Sequence, residues 1–178
     1  MAWLGLLAAI LTVRAQDSDS GWTPVRVPGV WPGNTAPGFG WYRAWLKPHD
    51  SFFTPHERNL FAESVTLNVR SLADAHEVFV NGTRVGGGGS FPPEFRTGKD
   101  ANHRHKIPPG LLKRGEWNEI AFRVYHASIP AGFFNEAPFV MDYFNECVME
   151  GDWEWRAGAG TGWTGGPLRE RPARAAFD

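Results

Sequence analysis

The chain carries one cysteine, Cys147, in 178 residues. That excludes an internal disulfide, and it excludes a zinc or haem site built from the chain's own cysteines. No Cys-x-x-Cys-His motif occurs. A secreted domain of this size can do without a bridge if it builds a sufficient core. Charge of one sign is equally scarce, with a formal net charge of −1 and both signs mixed along the chain. No basic stripe argues for nucleic acid, and no acidic run argues for a solvated tail. The apolar run Ala2–Leu11 is too short to span a bilayer. There is no Gly-x-Ser-x-Gly to present an acyl-transfer nucleophile. Gly86–Gly89 departs from the Gly-x-Gly-x-x-Gly spacing and opens no helix, so no dinucleotide cofactor is expected.

What is present in quantity is aromatic and turn-forming: 9 Trp and 13 Phe beside 21 Gly and 14 Pro. That mixture favours short aromatic-rich strands joined by irregular loops over a helical bundle. The length suits one domain that buries roughly two-thirds of the surface its unfolded chain exposes. Met1–Ala15 (MAWLGLLAAILTVRA) reads as a secretory signal peptide, with Val13-Arg14-Ala15 as the cleavage site, although Met1 has no Lys or Arg near it. The expected location is secreted or periplasmic.

The strongest local signal is Ala75–Gly86 (AHEVFVNGTRVG). Asn81-Gly82 between two alternating runs predicts a hairpin with a type I′ turn, which needs positive φ at both central residues. The expected register pairs Val80 with Thr83, Phe79 with Arg84 and Val78 with Val85. Further strands are expected at Trp22–Val27, broken by Pro24, and at Trp41–Lys47, Ser64–Arg70, His103–Ile107 and Trp117–Tyr125. In Trp41–Lys47, Trp41, Arg43 and Trp45 share one face and Tyr42, Ala44 and Leu46 the other. In Ser64–Arg70, Val65, Leu67 and Val69 face inward while Thr66, Asn68 and Arg70 face out. Ile120, Phe122 and Val124 form the core face of Trp117–Tyr125. Periodicity does not decide between strand and helix for Pro138–Trp155. The expected fold is an all-β antiparallel β-sandwich of jelly-roll type over residues 16–156. Ala157–Gly166 holds five glycines in ten residues and reads as a linker. Residues 157–178 as a whole read as that linker and the start of a missing downstream domain.

Four stretches carry a resemblance: WTPVRVPGVWP (Trp22–Pro32), GFGWYRAWL (Gly38–Leu46), AHEVFVNGTRVG (Ala75–Gly86) and GEWNEIAFRV (Gly115–Val124). Together they resemble the galactose-binding-like sandwich that serves as the sugar-binding domain of family 2 glycoside hydrolases and is inserted in sialate O-acetylesterases. Ala137–Gly158 and Gly165–Asp178 look like the joint that follows this module in large secreted sorbosone-dehydrogenase-type haem-binding proteins. The resemblance implies a module that is not an enzyme on its own, with a glycoside hydrolase or sugar dehydrogenase as parent. Trp41, Arg43, Asn81 and Gly82 are read as structural, Arg43 being a paired, half-buried cation.

Sugar binding needs an aromatic platform for the apolar face of a pyranose and amide or charged groups for its hydroxyls. Loop-borne Trp31, Phe39, Phe133, Phe134 and Asn135 supply these if their loops meet at one end of the sandwich; the alternative is that the rings plug the core. His103 and His105 share a strand face and could hold a metal, but Arg104 and Lys106 interleave them, and a solvated polar strand with no metal is the expectation. Glu136 with Asp142 is the acid pair weighed for a glycosidase dyad. Asn81-Gly82-Thr83 fits a glycosylation sequon and is better explained by the turn. The expected function is weak, non-catalytic carbohydrate binding. The alternatives are a packing module that binds no sugar, and a fragment of a family 2 glycoside hydrolase. The expected partners are carbohydrate and a downstream domain of the same chain, with neither nucleic acid nor a membrane.

Overall fold

A computed structural model describes residues 21–32, 36–53, 65–99, 101–128 and 130–178. The signal peptide read at Met1–Ala15 lies outside the described residues. In chain order the strands begin with β1 (Thr23–Val27), β2 (Gly29–Val30), β3 (Gly38–Leu46), β4 (Thr66–Val69) and β5 (Leu72–Ala73). They continue with β6 (Ala75–Val80), β7 (Thr83–Gly88), β8 (His103–Lys106), β9 (Asn118–His126) and β10 (Gly132–Phe133). The last are β11 (Phe139–Met141), β12 (Glu146–Val148), β13 (Gly151–Ala157) and β14 (Ala176–Phe177). Among the described residues the one helical element is a 3-10 turn, Asp50–Phe53, and no helix is long and apolar enough to cross a membrane.

The fold is an antiparallel β-sandwich. Its large sheet runs β1-β13-β3-β9-β6-β7, with β14 added parallel to β3; a second sheet runs β12-β11-β4-β8, and a small one β2-β10-β5. The core lies between them because each strand buries every second side chain. Tyr42, Leu46, Val78, Val80, Ile120, Phe122 and Val124 come from the large sheet, and Leu67, Val69 and Val140 from the second. Pro24 is tolerated because β1 is an edge strand, paired with β13 alone. Pro138–Trp155, which periodicity left open, forms the β11–β12 hairpin and most of β13.

The hairpin turn is as read: Asn81 and Gly82 have φ of 47° and 78°, and Val80 faces Thr83 and Phe79 faces Arg84. Beyond that the register departs from the expected one. Val78 pairs with Gly86, so Val85 is the extra residue of a β-bulge. We expect Gly82→Val to cost roughly 1–3 kcal/mol, since a β-branched residue is strained at positive φ. Urea unfolding checks it, and an unchanged midpoint would contradict the turn type.

Two further expectations are corrected. The outward face of β4 is covered: Thr66 and Asn68 are buried along with Leu67 and Val69. Thr66 Oγ1 accepts from Asn68 Nδ2 at 3.1 Å and from Arg104 Nε at 3.2 Å, so side chains that read as solvent-facing are satisfied internally. The glycine-rich stretch from residue 157 is also not free of the sandwich. Residues 158–178 lie along the outer face of the large sheet and end in β14. Glycine content reports backbone freedom, not whether a neighbour offers hydrogen bonds to hold the chain down.

Candidate functional site

The outer face of the large sheet is built from the side chains that alternate away from the core. Trp41, Arg43 and Trp45 stand on β3. Beside them on β9 are Arg123, Ala121 and Glu119, and beside Trp41 and Arg43 on β13 are Arg156 and Glu154. Arg43 is almost fully buried there. Its guanidinium lies 4.2 Å from the Trp22 ring centre and 4.9 Å from that of Trp45, and its Nε donates to Glu154 Oε2 at 2.7 Å. The expectation of a paired cation holds for its pairing but not for its depth: its side chain is 6% exposed and that of Glu154 4%.

Residues 158–178 form a strap over this face. Trp41 Nε1 donates to the Gly160 carbonyl at 2.9 Å, and the Trp163 ring lies 4.0 Å from the Arg156 guanidinium. The Gly165 N–H donates to Glu119 Oε2. Leu168 and Trp117 exchange two backbone hydrogen bonds of 2.8 Å. Arg174 Nη2 reaches Glu154 Oε1 at 2.8 Å, and the Trp45 N–H donates to the Ala175 carbonyl at 2.7 Å.

Strap and sheet line a half-open cavity of about 360 Å³. Its chemistry comes from Arg43, Glu119 and Glu154 below, Arg174 and Trp163 above, and Trp45 at the side. Two guanidiniums and two carboxylates cancel, so the lining favours a neutral ligand over an ion. Carboxylates accept from hydroxyls, guanidiniums donate to them, and indole rings take the C–H face of a sugar. Sequence reasoning missed Glu119, Glu154, Trp163 and Arg174. The available signal was parity: Glu119 falls on the face opposite Ile120, Phe122 and Val124. A buried Arg43 also calls for a carboxylate on a neighbouring strand.

The five loop candidates do not form one site. Trp31 and Phe133 belong to the core. Trp31 packs on His126, Trp155 and Tyr42, with ring centres 4.3, 5.3 and 6.1 Å away. Phe133 is not in a loop tip but in β10, held between β2 and β5; neither ring can meet a ligand without opening the sandwich. Phe39 lies in β3, against Phe91 and Tyr125, with the Arg123 guanidinium 4.8 Å from its ring centre. Only Phe134 and Asn135 come together. They line an open cleft of about 470 Å³ at one end of the sandwich, with Arg70, Ser71, Lys99 and Pro130. The Lys99 ammonium sits 5.2 Å from the Phe134 ring centre, where a sugar would have to stack.

The remaining candidates have structural occupations. Glu136 pairs with Arg70 at 3.2 Å. Asp142 Oδ1 accepts from the N–H groups of Phe144 and Asn145 at 2.7 and 2.6 Å, closing the β11–β12 turn. Asn81 Nδ2, the atom a glycan would occupy, donates to Leu111 O and Asn118 Oδ1 at 2.8 Å each. His103 and His105 do not form a solvated strand face: they point inward beside Leu67 and Val69 of β4 and meet a third imidazole, His76 of β6. Burial pushes the Cys147 thiol above its usual range, with Asp178 adding to it. Among the described residues no group of three or more His, Cys, Asp or Glu is arranged to hold a metal ion.

No family model matches this sequence, and no curated protein matches it. Among solved structures, a Bacteroides fragilis protein provisionally named as a beta-galactosidase aligns at 20% identity with a TM-score of 0.42. The match covers 74% of this chain and 18% of that protein, so this chain spans less than a fifth of its length. At that similarity nothing of that protein's activity passes to this chain; the architecture rests on the strands and core described above.

Proposed function

We propose that this chain is a non-catalytic carbohydrate-binding module that takes a neutral sugar in the cavity between the strap and the large sheet. The observation that carries this reading is the lining. Two indoles and a charge-balanced set of two carboxylates and two guanidiniums converge on a space of about 360 Å³. The resemblance of the Trp22–Val124 stretches to a sugar-binding sandwich supports the same class, and the N-terminal apolar stretch supports a secreted or periplasmic location.

Chemistry on the sugar is not part of the proposal, for a geometric reason. Glu119 and Glu154 lie on strands separated by β3 and two residues out of line, opposite Trp45 and Arg43 respectively, about 12 Å apart at the backbone from two strand spacings and that offset. Glu154 is also clamped by Arg43 and Arg174, so both of its carboxylate oxygens are committed to protein partners and neither is placed to serve a glycosidic oxygen. A module that only positions a neighbouring domain is the second reading, favoured by the fact that Arg43, Glu154 and Arg174 already pair with one another and Glu119 already holds the strap at Gly165.

Eight of the cavity's twelve lining residues, Trp163 to Arg174, come from the strap, so binding must be measured on the whole chain and not on one cut at Gly158. We expect glycan-array and calorimetric binding to neutral glycans with Kd nearer ~1 mM than ~1 nM. Trp163→Ala and Glu119→Gln should each weaken it about tenfold with circular dichroism unchanged, as loss of one stacking or hydrogen-bonding contact does. No binding by the unmodified chain would leave the positioning role. Loss of binding in Phe134→Ala with none in Trp163→Ala would move the site to the end cleft.

A further inference from the structure

Three imidazoles meet inside the sandwich at the joint between its two main sheets. His76 on β6 has its ring centre 4.9 Å from that of His103 and 5.9 Å from that of His105, both on β8; the latter two are 6.1 Å apart and parallel. The two His76 ring nitrogens are buried with no hydrogen-bond partner among the described residues, and so is Nε2 of His105. His103 Nε2 lies 2.7 Å from the Gly98 carbonyl. The glycine run of β7 makes the space: a Cβ on Gly86 would fall on the His105 ring, and one on Gly88 on the rings of both His103 and His76. A run that is uninformative as sequence is therefore a fitted cover over three titratable rings.

The charges around them offer no compensation for a proton. His76 feels His103 and His105; His105 feels His103 and Arg84 of β7. From β9 the neighbour is the Phe122 ring, 6.4 Å away, and from β4 they are Leu67 and Val69. Arg104 and Lys106 alternate to the other face of β8. Glu77, on the opposite face of β6, is taken by Arg84 and Arg123. The Asp74 carboxylate accepts from Thr97 Oγ1 and the Ala127 N–H.

We propose that His76 and His105, packed against His103, form a proton-sensitive latch between β8 and the β6–β7 hairpin, closed while those two rings are neutral and released by acid. Burial first, and then the neighbouring imidazoles, push His76 from the ordinary 6.5 down to about 3; burial, His103 and Arg84 push His105 to about 4. The sign follows from linkage. The open state binds protons on His76 and His105 from about pH 6.5 downward and the closed state only at those lower values, so closure is fully favoured above pH 6.5. It weakens as pH falls toward the folded-state values. The upper part of this window lies above the usual carboxylate range, so the aspartates and glutamates contribute little there.

The test is amide hydrogen exchange on the whole chain between pH 6.5 and 5, corrected for intrinsic rates, with NMR titration of the imidazole C–H signals. Opening at Gly86–Gly88 and His103–Lys106 should rise about tenfold per pH unit for each proton taken up, while the β3–β9 amides stay protected. His76→Gln should flatten that rise. Opening that is independent of pH would overturn the proposal, as would a His76 ring that titrates near 6.5 with the fold intact. The ring titration is read on the unmodified chain and decides the matter even if His76→Gln does not fold.

Discussion

Glu154→Ala is expected to lower the stability of the chain by about 3–5 kcal/mol, the cost of removing one partner from a buried ion pair. The geometry places it at that end of the range for substitutions. Arg43 Nε and Glu154 Oε2 are 2.7 Å apart with both side chains almost fully buried, and the guanidinium is held between the Trp22 and Trp45 rings. The substitution leaves that cation buried without the Glu154 carboxylate, and it also removes the anchor of Arg174 on the strap. The two contacts are unequal. Arg174 is half exposed, so Arg174→Ala should cost less than about 1 kcal/mol. Replacing both buried partners at once, Arg43→Met with Glu154→Leu, should recover most of the loss, because neither charge is then stranded. Urea unfolding followed by tryptophan fluorescence measures all three. A Glu154→Ala loss of less than about 1 kcal/mol would show that water reaches the pair and that the strap is not seated over it.

The same residues show what the sequence could and could not convey. Alternation of apolar and polar side chains identifies a strand and its core face, and it did so for Tyr42, Ala44 and Leu46 and for Ile120, Phe122 and Val124. Asn-Gly between such runs identifies a turn, because few residues accept its dihedrals. Parity says which side chains leave the core, but not what covers them. The strap covers Arg43 from more than a hundred residues away, reaches Glu119 from Gly165 and Glu154 from Arg174, and no local pattern contains that information. Thr66 and Asn68 were misread for the same reason. The bulge at Val85 escaped because Gly86–Gly88 has no side chains from which to read a register. The His76 cluster escaped because its members are close only through the pairing of β8 with β4 and the packing of the two sheets.

Phe133 and Phe134 are adjacent in sequence, yet Phe133→Ala is expected to cost about 3–5 kcal/mol and Phe134→Ala less than about 1 kcal/mol. Phe133 is fully buried, its ring centre 5.2 Å from Tyr42, 5.3 Å from Phe122 and 6.1 Å from Trp153. Truncating it removes a ring from the place where the small sheet packs on the large one, where close packing leaves little room for neighbours to collapse into the space. Phe134 lies at the rim of the end cleft, with the Lys99 ammonium above it, and its loss uncovers no core. The difference rests on register, with Phe133 opposite Gly29 on one side and Leu72 on the other. A slip of one residue exchanges the two rings between core and solvent. Paired urea titrations therefore test the small sheet directly: if Phe134→Ala is the costly substitution and Phe133→Ala the mild one, β10 is displaced by one position.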